Sequence, residues 1–236
     1  MPMKNLFLAL FCWSFLWIGC SSNETPEKVS PPAPTAATDT PPAASDDRQH
    51  ILFFGNSLTA AYGIDPDSGF VSRIQQRLDS LGWPYQTINS GNSCETTAGG
   101  NSLIEWVLSQ QDFDVFILEL GGNDGLRGIA PTDSYRNLKS IIDKVLAADS
   151  TIQIVLAGME APPNLGSDFT TAFRKNYRQL AAEYELPLIP FLLEGVGGIP
   201  RLNLPDGIHP TPQGHRIVAD NIWAVLRPLL AETATR

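Results

Sequence analysis

Ile51-Leu52-Phe53-Phe54-Gly55-Asn56-Ser57 is the stretch on which the fold turns. Four apolar residues with no polar alternation read as a strand buried on both faces, and Gly55 ends it. Working outward, Phe70, Ile74, Leu78 and Leu81 recur at helical spacing until Gly82 stops them. Residues 85–89 then suit a second strand, and Leu103, Val107 and Leu108 a second helix. Residues 115–120 form the clearest strand, apolar except for Glu119. Tyr135, Leu138, Ile142 and Val145 predict a helix, residues 152–157 a fourth strand, and Phe169, Phe173, Tyr177 and Leu180 another helix. Residues 186–191 give a fifth strand and residues 217–230 a last helix. Apolar strands alternating with helices predict a single α/β domain, a five-stranded parallel sheet with helices on both faces. Ligands of such sheets bind at the carboxyl ends of the strands.

The chain N-terminal to this domain has a different character. Lys4 precedes an uncharged run rich in Leu, Phe and Trp over residues 6–18, closed by Gly19-Cys20. The run is short for a membrane span and suits an export signal, so residues 1–19 are expected to be a cleaved leader. The Gly-Cys junction resembles the lipobox of bacterial lipoproteins, although Trp17 stands where an aliphatic residue is usual. That resemblance implies a lipidated Cys20 and an exported lipoprotein, membrane-anchored and facing the periplasm or cell surface. Residues 20–47 alternate Pro with Ala, Ser and Thr, too little apolar surface to offset ordering, and read as a spacer. The folded domain is expected over residues 48–236. Cys12 falls in the leader and Cys20 at the junction, so Cys94 alone remains and no disulfide is expected. The net charge of −9 becomes −10 once a leader with Lys4 as its one charge is removed. An acidic chain without a basic block argues against nucleic acid, leaving membrane contact to the anchor.

Four polar, Gly-rich segments follow strands or stand in a late loop. They are Gly55-Asn56-Ser57, Ser90-Gly91-Asn92, Gly121-Gly122-Asn123-Asp124 and Asp206-Gly207-Ile208-His209. Ser57 sits two residues past a strand, at a position where a helix can begin, which exposes a hydroxyl at the sheet edge. Asp206 and His209 share one loop bracketed by Pro205 and Pro210, which restrict it. One turn then carries a general base and the carboxylate that holds its tautomer. The backbone N–H groups of Ser57 and Gly91 and the Asn123 amide are candidate donors for an oxyanion. His50, ending the linker, and His215, on the last helix, read as structural or solvated. Cys94 reads as a small packing residue and not a nucleophile. Competing chemistries lack their marks: Thr59 replaces the second glycine of Gly-x-Ser-x-Gly, and neither His-Glu-x-x-His nor a phosphate-cradling Gly-Lys loop occurs.

Phe54-Gly55-Asn56-Ser57-Leu58-Thr59, Asn89-Ser90-Gly91, Gly121-Gly122-Asn123-Asp124 and Asp206-Gly207-Ile208-His209-Pro210 together resemble the blocks of the SGNH, or GDSL-type, hydrolases. Residues 119–128 and 187–195 are similar to the arylesterase and acyl-CoA thioesterase I type within that family. The resemblance implies a flavodoxin-like sheet, a Ser57–His209–Asp206 triad, an oxyanion hole from Ser57, Gly91 and Asn123, and no metal or organic cofactor. It implies a serine esterase acting on aryl or short-to-medium acyl esters, with acyl thioesters and lysophospholipids as further substrates. Residues 161–165 and 191–199 are apolar and suit an acyl groove. A carbohydrate O-acetyl esterase is the second reading, and an inactive glycan- or lipid-binding lipoprotein the third. The family usually has Asp where this chain has Asn56, which predicts tuned rather than lost activity. Oligomeric state is not legible.

Overall fold

The computed structural model describes residues 48–234. The expected leader (1–19), the acylated Cys20 and the linker (20–47) lie outside the described residues. Five strands form one parallel sheet: β1 (Gln49–Gly55), β2 (Tyr85–Gly91), β3 (Val115–Glu119), β4 (Gln153–Ala157) and β5 (Leu188–Ile189). Their order is β2-β1-β3-β4-β5, the doubly wound arrangement of flavodoxin-like folds. β1 is central because it is apolar on both faces: Ile51, Leu52, Phe53 and Phe54 are all buried. β5 is much shorter than expected, pairing with β4 only through Leu188 and Ile189.

The helices are α1 (Phe70–Ser80), α2 (Thr97–Gln110), α3 (Gly122–Arg127), α4 (Pro131–Ala148), α5 (Ser167–Glu183) and α6 (Pro212–Ala234). Each long one buries an apolar stripe, such as Ile74 and Leu78 of α1 or Leu138, Ile142 and Val145 of α4. Full burial of such a side chain stabilises by roughly 1.5–3 kcal/mol. Thr96 caps α2 by accepting from the Gly99 N–H at 3.2 Å. Gly69 offers α1 no side-chain cap, and His215 of α6 substitutes for one: its Nδ1 accepts from the Phe70 N–H at 3.2 Å. His215 is thereby structural, buried and stacked 5.7 Å from the Phe70 ring.

One local expectation is corrected, and one element stands where none was expected. No helix begins at Ser57; successive turns run from residue 57 to 63, and α1 waits until Phe70. The Ala60 N–H bonds Asn56 O and the Tyr62 N–H bonds Ser57 O, and Gly63, at φ 77, breaks any continuation. The unexpected element is α3, six residues long, which has no apolar periodicity to announce it.

The order reverses between β1 and β3, so a crevice opens where their carboxyl ends diverge. Ser57 follows one of these strands and Asn123 the other. Asp124 fixes the floor on the α3 side. Its buried carboxylate accepts from the Thr97 N–H (2.9 Å), the Thr97 hydroxyl (2.5 Å) and the Ser134 hydroxyl (3.0 Å). It thus ties the starts of α2, α3 and α4 together.

Candidate active site

The loop after residue 203 is a closed turn. The Leu204 N–H donates to His209 O at 2.7 Å, and the Gly207 N–H to Leu204 O at 2.9 Å. Asn203 and Pro210 pair as an isolated antiparallel bridge. Inside it, Asp206 Oδ1 accepts from the N–H groups of Ile208 (2.9 Å) and His209 (3.0 Å). Asp206 Oδ2 meets His209 Nδ1 at 2.7 Å. The His209 N–H, its ring and the Ile208 N–H, in that order, hold the Asp206 carboxyl down at about 2, so it stays ionised.

The other ring nitrogen, His209 Nε2, lies 2.9 Å from Ser57 Oγ, although the two residues are 152 positions apart. Ser57, His209 and Asp206 therefore form a continuous hydrogen-bonded chain with the proton path that acyl transfer needs. Tyr62 lies against the imidazole, ring centroids 4.7 Å apart, while itself 53% exposed. Sequence reasoning missed Tyr62, since an isolated aromatic in a turn carries no periodic signal.

Ser57 and Asn123 share a cleft of about 470 Å³ with Leu58, Leu126, Met159 and Ile208. Ala161, Pro162, Pro163, Phe191 and Leu193 also line it, so both apolar stretches expected to form a groove contribute; Leu165 and Ile199 do not. Asn123 Nδ2 donates to Glu95 O at 2.8 Å, bonding a neighbouring loop rather than its own turn.

Gly91 falls elsewhere. Its N–H donates to Asn89 Oδ1 at 2.9 Å, and it does not line the cleft. A Cβ there would stand 2.7 Å from Thr59 C and 2.8 Å from Ala60 Cα, so Gly91 admits the backbone of the Ser57 turn, not a substrate. The loop that Asn123 reaches is the one carrying Cys94, which directly precedes Glu95. Cys94 is exposed rather than packed, and its φ of 67° is one a side chain seldom adopts. Its carbonyl accepts from Arg127 at 3.2 Å. Among the described residues, no cluster of three or more His, Cys, Asp and Glu side chains is placed to hold a metal ion.

A flavodoxin-like sheet with a Ser–His–Asp chain over an apolar cleft defines a hydrolase of the acyl-transfer class. The family model of the GDSL-like lipases/acylhydrolases matches residues 53–217. The chain is 38% identical to the esterase TesA of Pseudomonas aeruginosa over 77% of its own length and 90% of that protein. It is 33% identical to an arylesterase of Vibrio mimicus (75% and 88% covered). It is 31% identical to thioesterase 1/protease 1/lysophospholipase L1 of Escherichia coli (76% and 84% covered). A crystal structure of TesA superposes with a TM-score of 0.73 at 38% identity, over 77% of this chain and 99% of that one. The chain belongs to the GDSL-like lipase/acylhydrolase family and is a hydrolase of its esterase, thioesterase and lysophospholipase type.

Proposed function

We propose that the protein is a serine esterase that cleaves aryl and short-to-medium acyl esters through an acyl-enzyme on Ser57. The observation that carries this reading is the hydrogen-bonded chain from Asp206 through His209 to Ser57 Oγ, opening into an apolar cleft. Ser57 Oγ attacks the ester carbonyl as His209 Nε2 takes its proton. His209 then protonates the departing alcohol, and water repeats the sequence on the acyl-enzyme. The ionised Asp206 holds the imidazole in the tautomer with Nε2 free and stabilises the imidazolium that forms.

The tetrahedral oxyanion is met by the Ser57 N–H and the second Asn123 amide hydrogen, each such donor contributing roughly 3–4 kcal/mol. We assign the third donor to the Cys94 N–H, in the loop whose Glu95 carbonyl takes the Asn123 amide, because the Gly91 N–H is engaged by Asn89 Oδ1. The positive φ of Cys94, one residue before the Glu95 carbonyl that holds Asn123, supports a functional role for this loop.

Hydrolysis of p-nitrophenyl esters from acetate to palmitate tests the reading, with Ser57→Ala as control. The cleft's modest volume predicts a Ser57-dependent rate that peaks at short or medium chains and falls at palmitate. Equal rates across the series would overturn the chain-length claim. No turnover on any ester, with release of acetate from acetylated glycans, would establish the carbohydrate reading instead.

We further propose that the protein is exported and anchored through Cys20. The Lys4 n-region, the apolar run and Gly19-Cys20 support this. Mass spectrometry of the mature N-terminus should find acylated Cys20; an unmodified residue there would refute anchoring.

A further inference from the structure

Beneath the Ser57 turn lies a carboxyl group that the acyl-transfer steps do not use. Glu119 ends β3 and is 1% exposed. Its Oε1 accepts from Asn56 Nδ2 at 2.8 Å. Its Oε2 accepts from the Asn56 N–H at 3.1 Å and the Thr59 hydroxyl at 2.7 Å. Asn56 in turn accepts the Leu58 N–H on its own Oδ1 at 2.9 Å. Residues 56, 58 and 59, on both sides of Ser57, are therefore fastened to one buried carboxyl, directly or through the Asn56 amide. Gly55 makes room for it: a Cβ there would overlap the Thr59 hydroxyl and the Glu119 carboxylate and stand 2.9 Å from Glu119 O.

We infer that the Asn56–Glu119 amide–carboxylate pair is the positioning element of the Ser57 nucleophile, an inference that rests on the esterase reading above. Three donors converge on Glu119, and its ionised form, with both oxygens free, accepts all of them. The amide of Asn56 leaves Glu119 as the one carboxyl of the pair, ionised above about pH 7. An Asp at 56 would set two carboxyls within hydrogen-bond reach, where the second ionises only at raised pH. Among the described residues no Lys, Arg or His pairs with Glu119. The titratable groups around it are Tyr177 of α5, whose hydroxyl donates to Leu120 O at 2.9 Å, and Asp124 of α3. His209 stands beyond Ser57. Burial raises the Glu119 carboxyl to about 7, against the bonds from Thr59 and Asn56 that favour its ionised form.

The pair can be tested by reversing its polarity. Four full-length proteins are compared: wild type, Glu119→Gln, Asn56→Asp and the double variant. In Glu119→Gln an amide donor faces the Asn56 amide, and kcat should fall about 100-fold with KM nearly unchanged, the loss expected of a misplaced nucleophile. In Asn56→Asp the two carboxyls share one proton, which mimics the native bond. Activity should then fail on the alkaline side, where that proton leaves and wild type is unaffected. The double variant restores the donor and acceptor count. The amide oxygen introduced at position 119 takes the backbone N–H of position 56 and the Thr59 hydroxyl. The new NH₂ group donates to the carboxylate introduced at position 56, and that carboxylate keeps the Leu58 N–H. The kcat of this protein should return to within about tenfold of wild type, a coupling typical of contacting groups.

A wild-type kcat and pH profile in Glu119→Gln would overturn the inference, and so would a double variant no better than the worse single one. If Glu119→Gln does not fold, Asn56→Asp decides the matter, because its alkaline limb is read within one folded sample; no such limb overturns the inference. Labelling of Ser57 by a serine-reactive phosphonate separates the two readings. An unlabelled wild type removes the esterase reading itself, whereas normal labelling with unaltered variants removes the positioning role alone.

Discussion

Replacing Ser57 with Ala lowers ester turnover by about 10⁴- to 10⁶-fold, and replacing His209 with Ala does the same. The double variant is scarcely slower than either single one, because nucleophile and base act as a unit and losing one idles the other. The fold tolerates the changes. Ser57 Oγ is joined to His209 Nε2, whose side chain is 17% exposed, so removing the hydroxyl strands no buried polar group. Asp206→Asn is expected to cost nearly as much, about 10⁴-fold. The Asn oxygen would keep the N–H groups of Ile208 and His209, leaving its NH₂ facing His209 Nδ1. The imidazole then carries its proton on Nε2, aimed at Ser57, and cannot accept another. Sequence reasoning allows a milder effect if a backbone carbonyl also orients the ring; among the described residues none does. Measuring kcat/KM on p-nitrophenyl butyrate together with urea midpoints checks all four variants. A Ser57→Ala protein with substantial turnover, or a double variant orders of magnitude below both singles, would remove the triad.

The parts of this site legible in the sequence are those whose physics is local. Ile51 to Phe54 announce a buried strand by composition alone, and Asp206 and His209 fall in one turn that two prolines confine. The resulting contacts, Asp206 to His209 and His209 to Ser57, follow from a parallel sheet that brings the loops to one edge. What resisted reading depends on close approach between distant segments. Gly91 looks like a residue kept small for a substrate, yet the neighbour that needs the space is the Thr59–Ala60 backbone. Cys94 gives no sign in the sequence that its φ is positive. Glu119 stands out as a charge in an apolar strand, but its partners Asn56 and Thr59 lie 63 and 60 positions away. The short helix α3 is built on Gly122, Asn123, Asp124 and Gly125, poor helix formers that tertiary contacts hold in place.

Glu119 and His215 should oppose one another in the dependence of stability on pH. Burial, with smaller contributions from Arg73 and His209, pushes the His215 imidazole from 6.5 down to about 4. The unfolded chain takes up that proton at higher pH than the folded one. The His215 contribution is therefore complete above about pH 6.5 and is lost as pH falls toward 4, by about 3 kcal/mol. The neutral ring is what the fold requires, since Nδ1 must accept from the Phe70 N–H. Glu119 behaves oppositely. Raised from 4.5 to about 7, it binds its proton more tightly in the folded chain, so its contribution is complete below about pH 4.5 and is lost as pH rises toward 7. The windows overlap and the slopes cancel, so wild type should be nearly flat in stability from about pH 4.5 to 6.5. His215→Gln keeps an acceptor and removes the titration; that protein should lose stability steadily as pH rises through the window. Glu119→Gln should gain stability over the same interval. Asp206, held at about 2, acts below this window, as do Asp149 and Glu183, both lowered from their ordinary carboxylate values. Urea midpoints measured at half-unit steps of pH read the slopes directly. A His215→Gln protein as flat as wild type would mean that Glu119 does not titrate in this interval.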